Sequence, residues 1–436
     1  MELLRITGGA RLEGTVAISG SKNAALPLMA AALLTDEPVE LTNVPDIEDI
    51  ETMAQMLGHL GVAVTRVDIS TWRIHAATVT ATELSAELTR KLRGSFLLLG
   101  ALLARAGAAT IARPGGDDIG MRRVEQHLEG LRAMGAEVHE TPEAYIAAAS
   151  RRMHGARIDL DMPTVTGTEN LMMAAALAQG ITVISNAARE PHVVDLARFL
   201  RGMGAHINGA ATELIVIEGV GGLLHGTTHR VTTDYIEAGT YMVAAAATGG
   251  NVVVERMRPS DLDFLGRKLR AAGCEVVEGG RHVQVAGTRT LHPVDVTTWP
   301  HPGFASDLQS QFVALMTQAA GTSVVSEAIY ENRFRVVDEL RKLGANVAVE
   351  GRSATVRGPS TLRGTRVCIP DIRSGAALVI AALCAQGTTE LDDVFHIDRG
   401  YEDMEGKLRS LGAQVERVTE GPPGSAVRDL SGVVGD

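Results

Sequence analysis

The sequence is poor in aromatic residues and carries an excess of negative charge. Phe, Trp and Tyr make up 3% of the 436 residues, and the formal net charge is −11. Proteins that hold single-stranded nucleic acid stack its bases on aromatic side chains, and phosphate backbones attract basic surfaces. We therefore expect no nucleic-acid partner. A locally basic site for small anions remains compatible with an acidic total.

Cysteine is also scarce, and no apolar run is long enough for a membrane span. The three cysteines, Cys274, Cys368 and Cys384, have no CxxC spacing and no neighbouring histidine, which predicts free buried thiols in a reducing compartment. The longest apolar run, 96–104, is too short to cross a bilayer. The first residues resemble neither a signal peptide nor a transit peptide. We expect a cytoplasmic protein without a membrane partner.

Signatures of metal and cofactor binding are missing as well. The histidines are scattered without ligand spacing, and the glycine-rich segments 8–14 and 218–226 are not followed by the helix that a nucleotide fingerprint requires. We expect no metal and no cofactor. Residues 419–436 are rich in Gly, Pro and Ser, a composition that predicts a disordered tail.

What the sequence does contain is an internal repeat. A turn, a short β-like run, a loop, a helix and a glycine recur six times, and the glycines lie 68 to 74 residues apart. A glycine at this place predicts a left-handed residue that ends the helix. The six glycines are Gly61, Gly135, Gly204, Gly273, Gly344 and Gly412.

A second, Ala-rich helix is expected between successive copies. These segments are apolar on nearly every face, so they have to be buried. Six such units predict an α/β protein of two globular halves with three units each, divided near residues 225–235. The buried segments are 23–34, 96–106, 170–178, 238–247, 312–320 and 375–385.

Eight motifs spread along the repeats resemble those of the UDP-N-acetylglucosamine 1-carboxyvinyltransferases. The resemblance runs from residue 1 to about residue 417, with long motifs in the family's order. They are SGSKNAALP (19–27), ARPGGDDIGMRRVEQH (112–127), TVTGTEN (164–170), NAAREPHVVD (186–195), HPGFASDLQSQ (301–311), YENRF (330–334), PDIRSGAAL (370–378) and FHIDRGYE (395–402).

The resemblance implies an enolpyruvyl transferase fold with two inside-out α/β barrel domains of three repeats each. One domain, 22–230, would carry the catalytic loop, and the other would join 1–21 to 231–418. The active site would lie in the cleft between them, which closes when the nucleotide sugar binds. The implied reaction moves enolpyruvyl from phosphoenolpyruvate to the 3-hydroxyl of UDP-N-acetylglucosamine and releases phosphate, the first committed step of peptidoglycan precursor synthesis.

Both substrates are anions, so the site needs cations. Lys22 stands at the start of an apolar helix, where the helix dipole disfavours a cation, and a bound anion would remove that conflict. By resemblance, Lys22 and Arg122 bind phosphoenolpyruvate and Asn23 lies between the two substrates. Arg373 and Arg399 would occupy phosphate-binding positions, with Lys22 and Arg399 counted as catalytic.

Further positions follow the acceptor. The carboxylate of Asp307 resembles the one that faces the sugar 3-hydroxyl, where it either takes the proton or orients the hydroxyl; it is also placed to cap the following helix. Arg333 either binds substrate or orders the domain contact. By resemblance, Glu190 and Asp234 lie at the domain interface. The uridine and sugar contacts would be Arg93, Val124, His127, Thr164, Val165 and Ile329.

Asp117 is the most informative residue. Most of the family carries Cys at this place in the loop PGGDDIG (114–120), where it acts in proton transfer to C3 of phosphoenolpyruvate and in product release. A carboxyl group can transfer that proton if a desolvated loop raises its pKa. It cannot form a thioether, which predicts resistance to fosfomycin, the epoxide that alkylates the Cys. Asp118 is the weaker candidate.

The match departs from the family around the base. Arg123 and Glu125 stand where the family has Pro and Asp, Gln126 follows them, and Tyr235 replaces an Arg at the hinge. These changes leave other readings open: enolpyruvyl transfer to another acceptor such as UMP or shikimate 3-phosphate, or a non-catalytic paralogue that binds the nucleotide sugar.

Overall fold

The computed structural model describes residues 2–150 and 152–419 of the chain. Its last strand, Gln414–Thr419, includes Thr419, so the predicted disorder is wrong for that residue, and 420–436 lie outside the described residues. The helices, named in chain order, are α1 Lys22–Ala31, α2 Glu48–His59, α3 Ala86–Thr89, α4 Leu98–Ala106, α5 Glu125–Ala133, α6 Val165–Leu177, α7 Pro191–Gly202, α8 Tyr235–Thr248, α9 Asp263–Ala271, α10 Gln309–Met316, α11 Val336–Lys342, α12 Ile372–Cys384, α13 Phe395–Asp398 and α14 Met404–Ser410. Short 3-10 helices cover Ala32–Leu34, Arg93–Leu97, Pro259–Leu262 and Ser306–Leu308.

The strands form six four-stranded sheets within the described ranges, and all six share one pairing pattern. From one edge to the other, each sheet has one parallel pair and then two antiparallel pairs. This confirms the predicted α/β class and the sixfold repeat.

Three sheets are built from strands between residues 39 and 230. Given in spatial order from the parallel edge, their strands are Thr228–Arg230, Val39–Thr42, Trp72–His75 and Ala63–Arg66; Glu83–Leu84, Ala108–Ala112, Ala144–Ala148 and Glu137–Glu140; Arg157–Asp159, Gln179–Ser185, Leu214–Val220 and His206–Asn208. The other three use strands from the C-terminal half, and two of them also include an N-terminal strand: Glu13–Ala17, Asn251–Glu255, His282–Ala286 and Glu275–Glu278; Val296–Thr297, Gly321–Ser326, Ser353–Gly358 and Asn346–Glu350; Arg366–Cys368, Thr388–Asp392, Glu2–Thr7 and Gln414–Thr419.

The six repeat glycines all adopt the left-handed conformation that the sequence predicted. Their φ angles lie between 87° and 101°. Each follows the C-cap residue of one of six helices that we call the outer helices: α2, α5, α7, α9, α11 and α14. A side chain at such a φ is strained, so glycine ends the helix and sends the chain directly into the next strand.

Two separate hydrophobic cores organise the molecule. The first core draws its buried residues from 24–231, around α1, α4 and α6. The second core combines residues 4–18 with residues 235–415, around α8, α10 and α12. The apolar helices are buried as expected. Some boundaries differ: α6 begins at Val165 rather than 170, and α10 ends at Met316 rather than near 320, where the chain continues as turns in which Gln318 and Ala319 donate to Leu315 and Met316.

The chain passes between the cores twice, and the two crossings pair with each other. Ser21 donates its N–H to Thr232 at 2.8 Å, and Asp234 donates to Ser19 at 3.0 Å. Asp234 then caps α8 through one carboxylate oxygen and accepts the N–H of Lys22 through the other, at 3.3 Å. The start of α1 is thereby tied to the start of α8.

The cysteines differ from the sequence prediction at one position. Cys274 is buried and Cys384 half-buried, whereas Cys368 is exposed; the prediction of three buried thiols is wrong for Cys368, which lies on a short strand with its neighbour Val367 facing the core. Across 2–150 and 152–419, no helix combines the length and apolarity needed to cross a membrane.

Candidate active site

Lys22 lies in the first turn of α1 and faces a buried acid. Ser21 caps the helix through its hydroxyl, which accepts the N–H of Ala24. The Nζ of Lys22 is 2.6 Å from the carboxylate of Asp49, whose side chain is 2% exposed. Asp49 lies in the first turn of α2. Asp49 therefore supplies the negative charge that we expected beside a lysine at the start of a helix.

The network continues across the cleft to Arg399. Its Nε donates to the second oxygen of Asp49 at 2.9 Å, and its Nη1 donates to Asp117 at 2.8 Å. Arg399 follows α13 and belongs to the second core, whereas Lys22, Asp49 and Asp117 come from the first-core side. Cations and carboxylates thus alternate along the network, which reaches the second core at Arg399, and all four side chains are at most 12% exposed.

The pKa of Asp117 runs against the sequence-based expectation. Burial on its own raises the pKa of this carboxyl, but Arg399 and Lys22 outweigh burial and hold the pKa below its ordinary value. The carboxylate also accepts the N–H of Ile372 at 3.4 Å. The expectation that loop closure alone raises this pKa is wrong, since closure brings the carboxylate to two cations rather than into an apolar pocket.

Asp307 lies between two buried arginines. One carboxylate oxygen pairs with Arg333 and the other with Arg373 at 3.0 Å. The arginines are 3% and 5% exposed, and Arg373 also donates to the hydroxyl of Tyr401 at 3.2 Å. Burial raises the pKa of Asp307, yet Arg373 and Arg333 lower it well below the ordinary range. The charge of Lys22 lowers the pKa of Asp307 further.

The expectation that Asp307 also caps α10 is wrong. Leu308 stands at the N-cap of α10, and no side chain caps that end. The side chain of Asp307 points instead to its two arginines. A carboxylate that is bonded on both oxygens by guanidinium groups has no lone pair in position for the helix N–H groups.

Arg93 and Arg122 form a second cationic group at the base of the catalytic loop, residues 113–124. The guanidinium of Arg93 donates to the carbonyl of Arg122. Burial lowers the pKa of Arg93 to about 10, with a further contribution from the nearby charge of Arg122. Arg122 has φ of +43°, a strained backbone for a non-glycine residue. Its side chain has no ion pair among the described residues.

The residues expected to contact uridine and sugar are spread over the start of α5, the start of α6 and the segment after Ser326. His127 is 1% exposed, its Nε2 lies 2.9 Å from the hydroxyl of Thr166, and burial followed by the charge of Arg93 lowers its pKa to about 3. Thr164 caps α6 and Val165 is its first residue. Val124 is buried at the start of α5, and the N–H of Ile329 is held by Glu327 at 2.8 Å.

The remaining predicted positions lie around the same cleft. Asn23 is half-buried beside Lys22, and its side chain has no hydrogen bond within the described part of the chain. Glu190, from the first core, accepts the N–H of His301 from the second at 3.3 Å. The exposed Arg123 and Glu125 flank Val124. Gln126 accepts the N–H of Met162 at 3.3 Å.

A cavity of about 460 Å³ opens on the outer side of Asp117. It is bounded by loop residues 116–118, by the first turns of α2 and by the aromatic side chains of Phe395 and His396. Three further basic side chains line it, Arg90, Lys91 and Arg335. The cavity shares Asp49, Asp117 and Arg399 with the charged network.

Sequence reasoning missed several residues of this site. Asp49 was overlooked because an acid in the first turn of a helix is commonplace there. Tyr401 belongs to the quoted motif FHIDRGYE, but nothing local announces that its hydroxyl meets Arg373. Glu331 and Asn332 also lie in a quoted motif, and their contacts with the catalytic loop depend on chain segments about 210 residues apart.

Comparisons with known proteins agree with this geometry. The family model described as EPSP synthase (3-phosphoshikimate 1-carboxyvinyltransferase) matches residues 6–408. A protein named UDP-N-acetylglucosamine 1-carboxyvinyltransferase from Magnetococcus marinus is 48% identical over 419 residues, which cover 96% of this chain and 100% of the relative. One from Carboxydothermus hydrogenoformans, named UDP-N-acetylglucosamine 1-carboxyvinyltransferase 2, is 49% identical over 422 residues with the same coverage.

Solved structures give the same architecture. The enolpyruvyl transferase NikO from Streptomyces tendae superposes with a TM-score of 0.86 at 28% identity, covering 96% of this chain and 99% of that one. EPSP synthase from Acinetobacter baumannii gives 0.73 at 19% identity, covering 96% and 100%, and supports the fold alone. The predicted enolpyruvyl transferase fold is confirmed, and the chain belongs to the UDP-N-acetylglucosamine 1-carboxyvinyltransferase family of enolpyruvyl transferases.

Proposed function

We propose that this enzyme transfers the enolpyruvyl group of phosphoenolpyruvate to the 3-hydroxyl of UDP-N-acetylglucosamine, releases phosphate, and so commits the sugar to peptidoglycan synthesis. The observation that carries the proposal is that Lys22 and Arg399 join Asp117 through Asp49 in one ion-pair network, while Asp117 and Asp307 bind the adjacent residues Ile372 and Arg373. The reaction needs cations that bind the phosphate, an acid that protonates carbon C3 and a carboxylate that binds the sugar hydroxyl.

The chemistry assigns each group a place. The sugar oxygen adds to C2 of phosphoenolpyruvate while a proton adds to C3. Phosphate then leaves C2 with its bonding electrons, and C3 gives up a proton to restore the double bond. In the proposal Asp117 exchanges the C3 proton, and Asp307 takes or orients the hydroxyl proton.

The cations act by electrostatics. Lys22, Arg122 and Arg399 would hold the phosphate as negative charge builds on it, in a site largely shielded from water. Arg373 and Arg333 keep Asp307 ionised, so the carboxylate is available to accept a hydrogen bond from the sugar. None of these steps needs a cofactor.

The ionised state of Asp117 in the free protein fits this scheme once phosphoenolpyruvate arrives. The phosphate would compete with Asp117 for Arg399 and Lys22, whose charges now lower the pKa of that carboxyl. Neutralising these charges leaves burial as the dominant influence, and burial raises the pKa. The carboxyl then gains a proton when the substrate that receives it is bound.

The surroundings of the reaction are also part of the proposal. We assign residues 22–230 to one domain and residues 1–21 with 231–418 to the other, in keeping with the two hydrophobic cores. The substrates are small molecules, with neither nucleic acid nor membrane as partner. Sugar-nucleotide precursors are made in the cytoplasm, and free thiols on this chain suit that compartment.

The test is a phosphate-release assay with phosphoenolpyruvate and UDP-N-acetylglucosamine, with UMP and shikimate 3-phosphate as competing acceptors. We expect turnover with the nucleotide sugar alone. Asp117→Asn removes the proton donor and keeps the shape, so kcat should fall by roughly 10²- to 10⁴-fold. Asp118→Asn is the matched control, because the Asp118 side chain is 73% exposed and makes no ion pair with Lys22 or Arg399 among the described residues, and it should retain its rate.

Two results would contradict the proposal. Full activity in Asp117→Asn would remove Asp117 from proton transfer. Phosphate release with UMP or shikimate 3-phosphate but not with the nucleotide sugar would give the enzyme a different acceptor while leaving the transfer chemistry in place.

A further inference from the structure

The segment 329–335 joins the strand Gly321–Ser326 to α11 and touches both ends of the site. It has no regular secondary structure, yet it is firmly anchored at its start. Glu327 is 2% exposed, and its carboxylate binds the N–H groups of Ile329 and Tyr330 at 2.8 and 3.0 Å. The same carboxylate accepts the hydroxyl of Ser306 at 2.9 Å, next to Asp307.

One side of this segment holds the acceptor carboxylate. The side chain of Arg333 is 2% exposed and pairs with Asp307. Its guanidinium also donates to the carbonyl of Ser306 at 3.4 Å and lies 5.6 Å from the ring of Tyr330. Asp307 and the segment therefore form one rigid unit, held together by the hydrogen bonds of Glu327 and the ion pair of Arg333.

The other side holds the catalytic loop through its main chain. Asn332 donates its N–H to the carbonyl of Ile119 at 3.1 Å and its amide side chain to the carbonyl of Asp118 at 3.2 Å. The carboxylate of Glu331 accepts the N–H of Met121 at 3.2 Å. These are three hydrogen bonds from two adjacent residues, and they clamp the loop directly after Asp117.

Gly120 makes this approach possible. Its φ is +138°, and a Cβ at this position would lie 2.1 Å from the Glu331 carboxylate. Only a residue without a side chain lets the loop come this close. Arg335 adds only a weak contact, 3.6 Å from the solvated carboxylate of Asp118, and such a pair contributes little to docking.

We propose that Glu331 and Asn332 are positioning residues that dock the catalytic loop onto the rigid segment holding Asp307. Docking then places Asp117 and Asp307 against the substrates at the same time. Neither residue touches the reacting atoms. The inference rests on the proposed roles of Asp117 and Asp307, because docking matters only if the loop carries the proton donor.

The loop itself provides a readout that does not depend on catalysis. Arg123 is exposed at the end of the loop, so trypsin can cut after Arg122 or Arg123 when the loop leaves its docked position, and mass spectrometry identifies the fragment ending there. Losing one such hydrogen bond should raise the undocked population, and hence the cutting rate, by roughly two- to tenfold.

The experiment compares Asn332→Ala with Asn346→Ala in the full-length enzyme. Asn346 is an exposed asparagine on another strand of the same core and does not contact the loop. We expect faster cutting and a similar loss of kcat in Asn332→Ala, with an unchanged melting temperature, and wild-type behaviour in Asn346→Ala. Glu331→Gln should stay close to wild type, since its amide oxygen can still accept the Met121 N–H, whereas Glu331→Ala should not.

The inference is wrong if Asn332→Ala and Glu331→Ala are cut no faster than wild type. It is also wrong if Glu331→Gln behaves like Glu331→Ala, because charge rather than docking would then be the cause. A failure of the proposed function would look different: wild type would not release phosphate, while the cutting rates would still report on the loop.

Discussion

Residue 117 lies where two opposing influences on a carboxyl group meet. Burial favours the protonated acid, and the adjacent guanidinium and ammonium groups favour the carboxylate. The cations prevail in the free protein, and a substrate that carries its own negative charge shifts the balance toward the acid. A thiol at this position would respond less directly, because its ordinary pKa is several units higher.

The same residue decides how the enzyme responds to an alkylating epoxide. We expect wild-type enzyme to keep its activity after incubation with fosfomycin, because Asp117 cannot form a thioether. Asp117→Cys should remain active as a transferase and lose activity irreversibly in fosfomycin, measured as residual phosphate release after the inhibitor is removed.

Asp118→Cys is the control for that experiment. Its side chain points into solvent, so a thiol there should leave the enzyme resistant. Irreversible inactivation of the wild type at low fosfomycin concentrations would contradict the prediction.

At this scale the sequence predicted the basic side chains well and their partners poorly. Lys22, Arg373 and Arg399 stand in motifs, and an anionic substrate demands cations. That Asp49 would bridge Lys22 and Arg399 depends on the approach of two cores, which no local pattern encodes. The direction of the Asp117 pKa was missed for the same reason, since it is set by residues 95 and 282 positions away.

Among the elements, the buried helices depend on close packing through small residues. Gly100 in α4 lies against α6: its N–H is bonded to the side chain of Asn170 at 2.8 Å, and an added Cβ would come within 2.5 Å of the Asn170 carbonyl oxygen. Gly58 in α2 is exposed, and an added Cβ would meet nothing within 4 Å.

These two glycines form a matched pair. Gly100→Ala should lower the free energy of unfolding by about 1–3 kcal/mol, because two backbones would have to separate. Gly58→Ala should raise it by about 0.5–1 kcal/mol, since alanine loses less entropy in a helix. Urea titration of both variants measures the difference, and a stabilised Gly100→Ala would show that α4 and α6 are packed less tightly.

The elements themselves were the most predictable level. A helix that is apolar on every face has to be buried, and a glycine after each outer helix predicts a left-handed residue. Burial and helix end both follow from local chemistry. Helix ends were less predictable: α10 stops at Met316, and the segment predicted to run to residue 320 gives no local sign of that end.

For the whole molecule, charge holds the cores together across the cleft. Arg399 links them through Asp49 and Asp117, and Asp307 neutralises two buried arginines beneath the same cleft. The pKa values of both Asp117 and Asp307 are lowered in the folded state. Such groups bind fewer protons when folded than when unfolded, so they stabilise the fold above their ordinary pKa of 3.8 and cease to do so as the pH falls.

We therefore expect the free energy of unfolding to fall steeply once the pH drops below about 4. Asp307→Asn should be less stable than wild type at neutral pH by about 3 kcal/mol, because it leaves two buried guanidinium groups without a counter-charge. It should also lose less stability than wild type between pH 5 and pH 2. Urea unfolding at several pH values tests this, and parallel curves for the two proteins would contradict it.

The cavity behind Asp117 has a consequence for ligand design. An electrophile has no thiol to attack on this loop, so selective inhibitors would have to bind reversibly. A pocket of about 460 Å³ with three basic side chains and an aromatic wall suits a compact anionic ligand carrying one ring. A molecule seated there would contact Asp117 and Arg399, and would stop turnover by competing with the phosphate that Arg399 is proposed to hold.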